Sequence, residues 1–132
     1  MHGNFDHVEK LKNSRVLIVE DDNAYADWIE LAVKDLGVSH IVKAEDGETA
    51  LQLTASDADF DLIICDWLMP KMDGLEFLRR FREKVTTSMF LVLTARSGLE
   101  DAFDATQAGA TNYLVKPIEI GELQSQVSSM LR

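Results

Sequence analysis

Three uninterrupted apolar runs constrain this chain more than any other feature. They are V-L-I-V at 16–19, L-I-I-C at 62–65 and M-F-L-V-L at 89–93. Each is too short for a buried helix and does not alternate, so each reads as a strand covered on both faces. Two weaker runs complete the set, a β-branched stretch at 38–44 with His40 inside it and N-Y-L-V at 112–115. Helical periodicity follows every run. Tyr25, Trp28, Ile29, Ala32 and Leu36 share a face, as do Phe77, Leu78 and Phe81. Further helices are expected near Ala50, Leu53 and Thr54, over 97–108 with Leu99, Ala102, Phe103 and Thr106 inward, and over 118–131 with Leu123, Val127, Met130 and Leu131 inward. Five β-α repeats imply an α/β fold, a doubly wound five-stranded parallel sheet with helices on both faces.

The ends of these strands matter more than their interiors, because an open parallel sheet gathers its ligand chemistry along the C-terminal edge. Strand one delivers Asp21 and Asp22, strand three Asp66, strand four Thr94 and strand five Lys116. Crowded carboxylates repel, and a hard divalent cation relieves them. A lysine ammonium and a threonine hydroxyl can hold phosphoryl oxygens. A carboxylate that attacks phosphorus becomes an aspartyl phosphate. Each residue also has a bland reading: Asp21-Asp22 and Thr94 as helix caps, Lys116 as an exposed cation. Their conjunction on one edge favours the chemistry.

Composition narrows the rest. A net charge of −10 argues against nucleic acid or anionic lipid as a partner of this domain. Nothing approaches the roughly 18 apolar residues of a membrane span, so a cytoplasmic protein is expected. Cys65 stands alone in an apolar run and reads as a small buried hydrophobe. His2 and His7 lie outside any ligand cluster. Residues 1–13, polar and mixed in charge, read as a loose lead-in, in which Phe5, Val8 and Leu11 recur near helical spacing and allow a short amphipathic turn. Arg79, Arg80 and Arg82 read as one solvated helix face.

The ordered set V-L-I-V-E-D-D, D-W-L-M-P-K-M-D-G-L, L-T-A and Y-L-V-K-P resembles the receiver domain of two-component response regulators, over residues 14–132. Trp67, directly after Asp66, is also similar to the single-domain chemotaxis regulators. The resemblance implies a flavodoxin-like (βα)5 fold with strand order 2-1-3-4-5. It implies that Asp66 accepts a phosphoryl group from a histidine kinase or histidine phosphotransfer protein, with Mg²⁺ (or Mn²⁺) as cofactor. Asp22, Asp66 and the Leu68 carbonyl would bind the metal directly, and Asp21 through water. Thr94 and Lys116 would contact the phosphoryl group. Tyr113 would swing inward with Thr94, and the bond before Pro117 would be cis. The output surface, for an unknown effector, would be the fourth and fifth helices of the repeat with the fifth strand between them, the α4-β5-α5 face of the family.

Departures from the family pattern carry their own expectations. In the family this chain resembles, the positions held here by Leu68 and Arg96 line the path of the attacking water. An apolar Leu68 cannot position that water and Arg96 can shield the phosphoryl group, so slow self-dephosphorylation is expected. G-A-T-N-Y before the switch aromatic lacks the acids of the charge-paired transcription-factor dimer, which counts against that dimer. A phosphohydrolase of the haloacid dehalogenase type needs an acid two places after its nucleophile, where Leu68 stands. An adaptor that works without phosphorylation is the other alternative. Ending just after the last helix fits a stand-alone regulator and a piece of a larger one alike.

Overall fold

In a computed structural model of the chain, which describes residues 2–56, 59–69, 71–95 and 99–132, the five runs form one parallel sheet. Strands β1 (Arg15–Val19), β2 (His40–Ala44), β3 (Leu62–Asp66), β4 (Met89–Thr94) and β5 (Asn112–Val115) lie in the order β2-β1-β3-β4-β5. Register follows directly: Val16 pairs with Leu62, Leu62 with Met89 and Leu91 with Asn112. Every residue of β3 is buried, as its continuous apolar run requires.

Successive strand residues point to opposite faces, so the sheet divides its side chains between two cores. Val16, Ile18, Leu62, Ile64, Leu91 and Leu93 face one side. There they meet Ile29, Ala32 and Val33 of α2 (Asn23–Asp35) and Leu123 and Val127 of α6 (Ile120–Met130). Leu17, Val19, Ile63, Cys65, Phe90 and Val92 face the other. Their partners are Ala50 of α3 (Gly47–Ser56), Phe77, Leu78 and Phe81 of α4 (Gly74–Arg82), and Ala105 of α5 (Leu99–Ala108). Cys65 is fully buried, and burial pushes its thiol well up from the ordinary range.

Three readings of the sequence need correction. The lead-in is a helix, α1 (His2–Asn13), docked on the body. Leu11 enters the α2–α6 core, Lys10 donates to the Arg132 carbonyl at 2.6 Å, Ser39 donates to the Lys12 carbonyl at 2.7 Å, and the His7 ring lies 2.9 Å from Ser128 Oγ. The helical spacing of Phe5, Val8 and Leu11 extends to a full helix, seated by one buried apolar side chain and by polar contacts to distant residues. The phase of α5 also differs. Ala105 is the buried residue, and Phe103, about 200° away around the helix, is 62% exposed. Small residues let α5 lie close against its neighbours where a phenyl ring would hold it off. Finally, Arg82 is not solvated with Arg79 and Arg80. Its guanidinium donates to the carbonyls of Gly109 (3.0 Å) and Val85 (3.2 Å), clasping the ends of α4 and α5.

Among the described residues, no helix is long and apolar enough to cross a membrane.

Candidate functional site

At the C-terminal edge, Asp66 ends β3 and Thr94 ends β4; both are buried. Lys116 follows β5, and its amide donates to the Thr94 carbonyl at 2.6 Å. The ammonium reaches back across the sheet to Asp66 Oδ1 at 3.5 Å and Glu20 Oε1 at 3.0 Å. The peptide between Lys116 and Pro117 is cis. Tyr113 lies on β5 opposite Val92, half-buried against the α3–α4–α5 core.

The acids group differently from the expected set. Carboxylate oxygens of Glu20, Asp21 and Asp66 lie within 4.8 Å of one another. Asp22 is the N-cap of α2 instead: its Oδ1 accepts from the amides of Ala24 (3.0 Å) and Tyr25 (3.2 Å). A carboxylate oxygen committed to two backbone donors satisfies the helix end and is drawn away from the cleft. Glu20, not Asp22, stands in the cluster. It leaves β1 with its amide bonded to the Ala44 carbonyl at 3.0 Å, so the extended geometry persists for one residue. The side chain is 3% exposed and turns into the edge, where Oε2 accepts from the Asp22 amide. Sequence reasoning missed Glu20 because it stood as the first of three acids. The available signal was the cap itself: a helix that starts at Asn23 commits Asp22, which shifts the free pair back by one residue.

Electrostatics agree with a crowded, desolvated cluster. Burial, reinforced by the charge on Asp66, pushes Glu20 up to about 7, against an opposing hydrogen bond from the Asp22 amide and the pull of Lys116. Burial raises Asp66 from its ordinary value as well, with Lys116 opposing. Lys116 is itself held above its usual value by Glu20 and Asp66, against the burial that lowers it. Carboxylate oxygens are the donors a hard divalent cation such as Mg²⁺ takes, with water filling the rest of its shell, so one or two of these three acids would suffice as direct ligands.

The loop after β3 carries the rest of the expected set. Leu68 is 49% exposed, beyond the edge. Trp67 is buried, its amide donating to the Leu93 carbonyl at 3.0 Å. Asp73 caps α4 by accepting from the Glu76 amide at 2.9 Å. Gly74 does more than turn the chain, because a Cβ there would lie 2.6 Å from the Asp66 carbonyl oxygen. Arg96 and Pro70 lie outside the described residues.

Known proteins fit this picture. The response regulator receiver domain family matches residues 16–128. Chemotaxis protein CheY-3 of Vibrio cholerae is 33% identical over 121 residues, covering 90% of this chain and 92% of that protein. The response regulator MprA of Mycolicibacterium vanbaalenii is 37% identical over 118 residues, 89% of this chain but 50% of that regulator. Among solved structures, the Vibrio cholerae chemotaxis protein CheY4 superposes with a TM-score of 0.82 at 30% identity, covering 89% of this chain and 98% of that one.

Proposed function

Because the chain belongs to the response regulator receiver family, we propose that it is a phosphorylation-controlled switch in which Asp66 accepts a phosphoryl group from a histidine kinase or histidine phosphotransfer protein. Receiver domains are signalling switches of two-component systems and generally bind Mg²⁺ at an acidic pocket. The observation that carries the reading is the Asp66 carboxylate at the sheet edge, with the Lys116 ammonium 3.5 Å away and Glu20 and Asp21 alongside.

Each residue then has a task. Glu20, Asp21 and Asp66 would hold Mg²⁺, in place of the expected Asp22. Bound there, Mg²⁺ supplies positive charge to a transferring phosphoryl group. An Asp66 oxygen attacks phosphorus, and the bond to the donor nitrogen breaks as the P–O bond forms. Lys116 pairs with a phosphoryl oxygen, stabilising charge as it develops. Thr94, buried on the neighbouring strand, donates its hydroxyl to another. The backbone bond from Lys116 to the Thr94 carbonyl couples these two, so a shift of Thr94 reaches β5 and Tyr113. The output face comprises α5, β5 and α6, equivalent to the family's α4-β5-α5. Phosphorylation shifts that face only insofar as the phosphoryl group binds its active arrangement more tightly. Leu68 and Arg96 keep their role as determinants of the phosphoryl lifetime.

Acetyl phosphate tests the reading. With Mg²⁺ the protein should gain one phosphoryl group, seen as an 80 Da mass increase, roughly the mass of PO₃ added per acceptor. Asp66→Asn should abolish it. Label that survives Asp66→Asn, or no label at all, refutes the proposal.

A further inference from the structure

Lys116 has a third neighbour, and it is not an acid. Its Nζ sits 4.2 Å from the centre of the Tyr25 ring. Tyr25 lies in the first turn of α2, directly behind the cap that Asp22 provides. Trp28, one turn on, packs against the ring at 5.3 Å. The Tyr25 hydroxyl is buried without a hydrogen-bond partner among the described residues. Packing therefore places this side chain, not its oxygen, and what it offers the site is a ring face.

We propose that Tyr25 is a positioning residue for phosphoryl transfer: its ring face holds the Lys116 ammonium beside Asp66. This rests on the reading of Asp66 as the phosphoacceptor. The remaining partners of Lys116 are Glu20 and Asp66, the same carboxylates that would hold a divalent cation. Their oxygens cannot serve both charges fully. A ring face attracts an ammonium through its quadrupole, yet it offers no oxygen to a hard, hydrated cation. Burial raises the Tyr25 hydroxyl above its ordinary value, so the ring stays neutral while the acids titrate or bind metal. The ring is thus the one neighbour of Lys116 in this set whose hold survives cation binding. An aliphatic side chain would fill the same space without attracting the charge.

The test compares initial rates of phosphorylation by acetyl phosphate at saturating Mg²⁺, read by mass spectrometry. Tyr25→Phe and Tyr25→Leu are measured alone and in a Lys116→Ala background, with urea midpoints for each. Tyr25→Phe should match the wild type. Tyr25→Leu should be roughly three- to tenfold slower, the rate equivalent of a cation–π contact at a half-buried site. In the Lys116→Ala background, Tyr25→Leu should slow the reaction no further, a non-additivity that a packing defect would not produce. Tyr25→Leu at the wild-type rate, or equally slow in both backgrounds, overturns the proposal. So does Tyr25→Phe as slow as Tyr25→Leu, which would assign the effect to the hydroxyl. A wild type that takes no label fails at the earlier step, the identity of the phosphoacceptor.

Discussion

Replacing Gly74 by alanine should damage the fold and the site together. Gly74 opens α4, and its amide donates to the Trp67 carbonyl at 3.0 Å. A Cβ at this position would stand 2.6 Å from the Asp66 carbonyl oxygen and 3.0 Å from both Trp67 Cα and Trp67 Cε3. Two of those three atoms are backbone, so no rotamer change relieves the clash. Either the first turn of α4 retreats or the end of β3 is pushed. Overpacking of this kind costs typically about 1–3 kcal/mol, and rigid backbone neighbours argue for the upper part. Alanine's helix preference offsets less than about 1 kcal/mol, because Gly74 is the first helical residue. A net loss near 2 kcal/mol should lower the melting temperature by about 5–10 °C in a domain of this size. Urea denaturation measures the loss. Acetyl phosphate labelling measures the displacement of Asp66, and its rate should fall in the protein that remains folded. Gly121→Ala is the matched control, since nothing lies within 4 Å of a Cβ there. It should be neutral or slightly stabilising. If Gly74→Ala unfolds within about 0.5 kcal/mol of the wild type, a shift too small for a real overlap, the close approach under Asp66 is refuted.

Asp22→Ala should cost about 1 kcal/mol through the lost cap of α2 while Mg²⁺ affinity survives, whereas Glu20→Gln should weaken Mg²⁺ binding. A Trp67 fluorescence titration in a Trp28→Phe background reads both. The raised Glu20 and Asp66 values fix a sign for pH: their burial is tolerated when protonated, so stability is present at low pH and lost as Glu20 ionises through about 7. Metal-free protein should therefore denature at lower urea at pH 8 than at pH 6. Mg²⁺ should bind more tightly at pH 8, because protons compete for the same oxygens. Leu11→Ala should cost roughly 2–3 kcal/mol if α1 is docked as described, and an unchanged urea midpoint would show that the helix does not contribute to the fold.

The sheet was legible because its three central strands are buried on both faces, and burial of that kind leaves unbroken apolar runs. Helix phase was legible where large side chains mark it, as Phe77, Leu78 and Phe81 do in α4. It failed in α5, where Ala105 does the packing and the eye is drawn to Phe103. Alanine carries little periodic signal, and a single aromatic carries too much. α1 was legible as a turn at the spacing of Phe5, Val8 and Leu11, but its full length and its docking were not. Its seat depends on Leu11 and on polar groups meeting distant partners such as Ser128 and Arg132, contacts that no local pattern encodes.

The cluster of acids at the sheet edge was legible to within one residue, and that residue shows where pattern stops and geometry begins. Three consecutive acids after β1 cannot all enter one cleft. The strand's extended path carries past Val19 through the Glu20–Ala44 bond, which fixes the direction of the Glu20 side chain. The start of α2 at Asn23 fixes the use of Asp22. Only Asp21 lies between two such commitments, which is why it belongs to the cluster under either assignment. The same logic explains why the sequence already places Asp66, Thr94 and Lys116 along one edge. Each stands at or just beyond the last residue of its strand, and the amides of Trp67 and Lys116 continue the ladder one step further, to Leu93 and Thr94. Sheet hydrogen bonding, extended past the apolar runs, therefore determines which side chains face the cleft, and the residue types then determine what chemistry they can do.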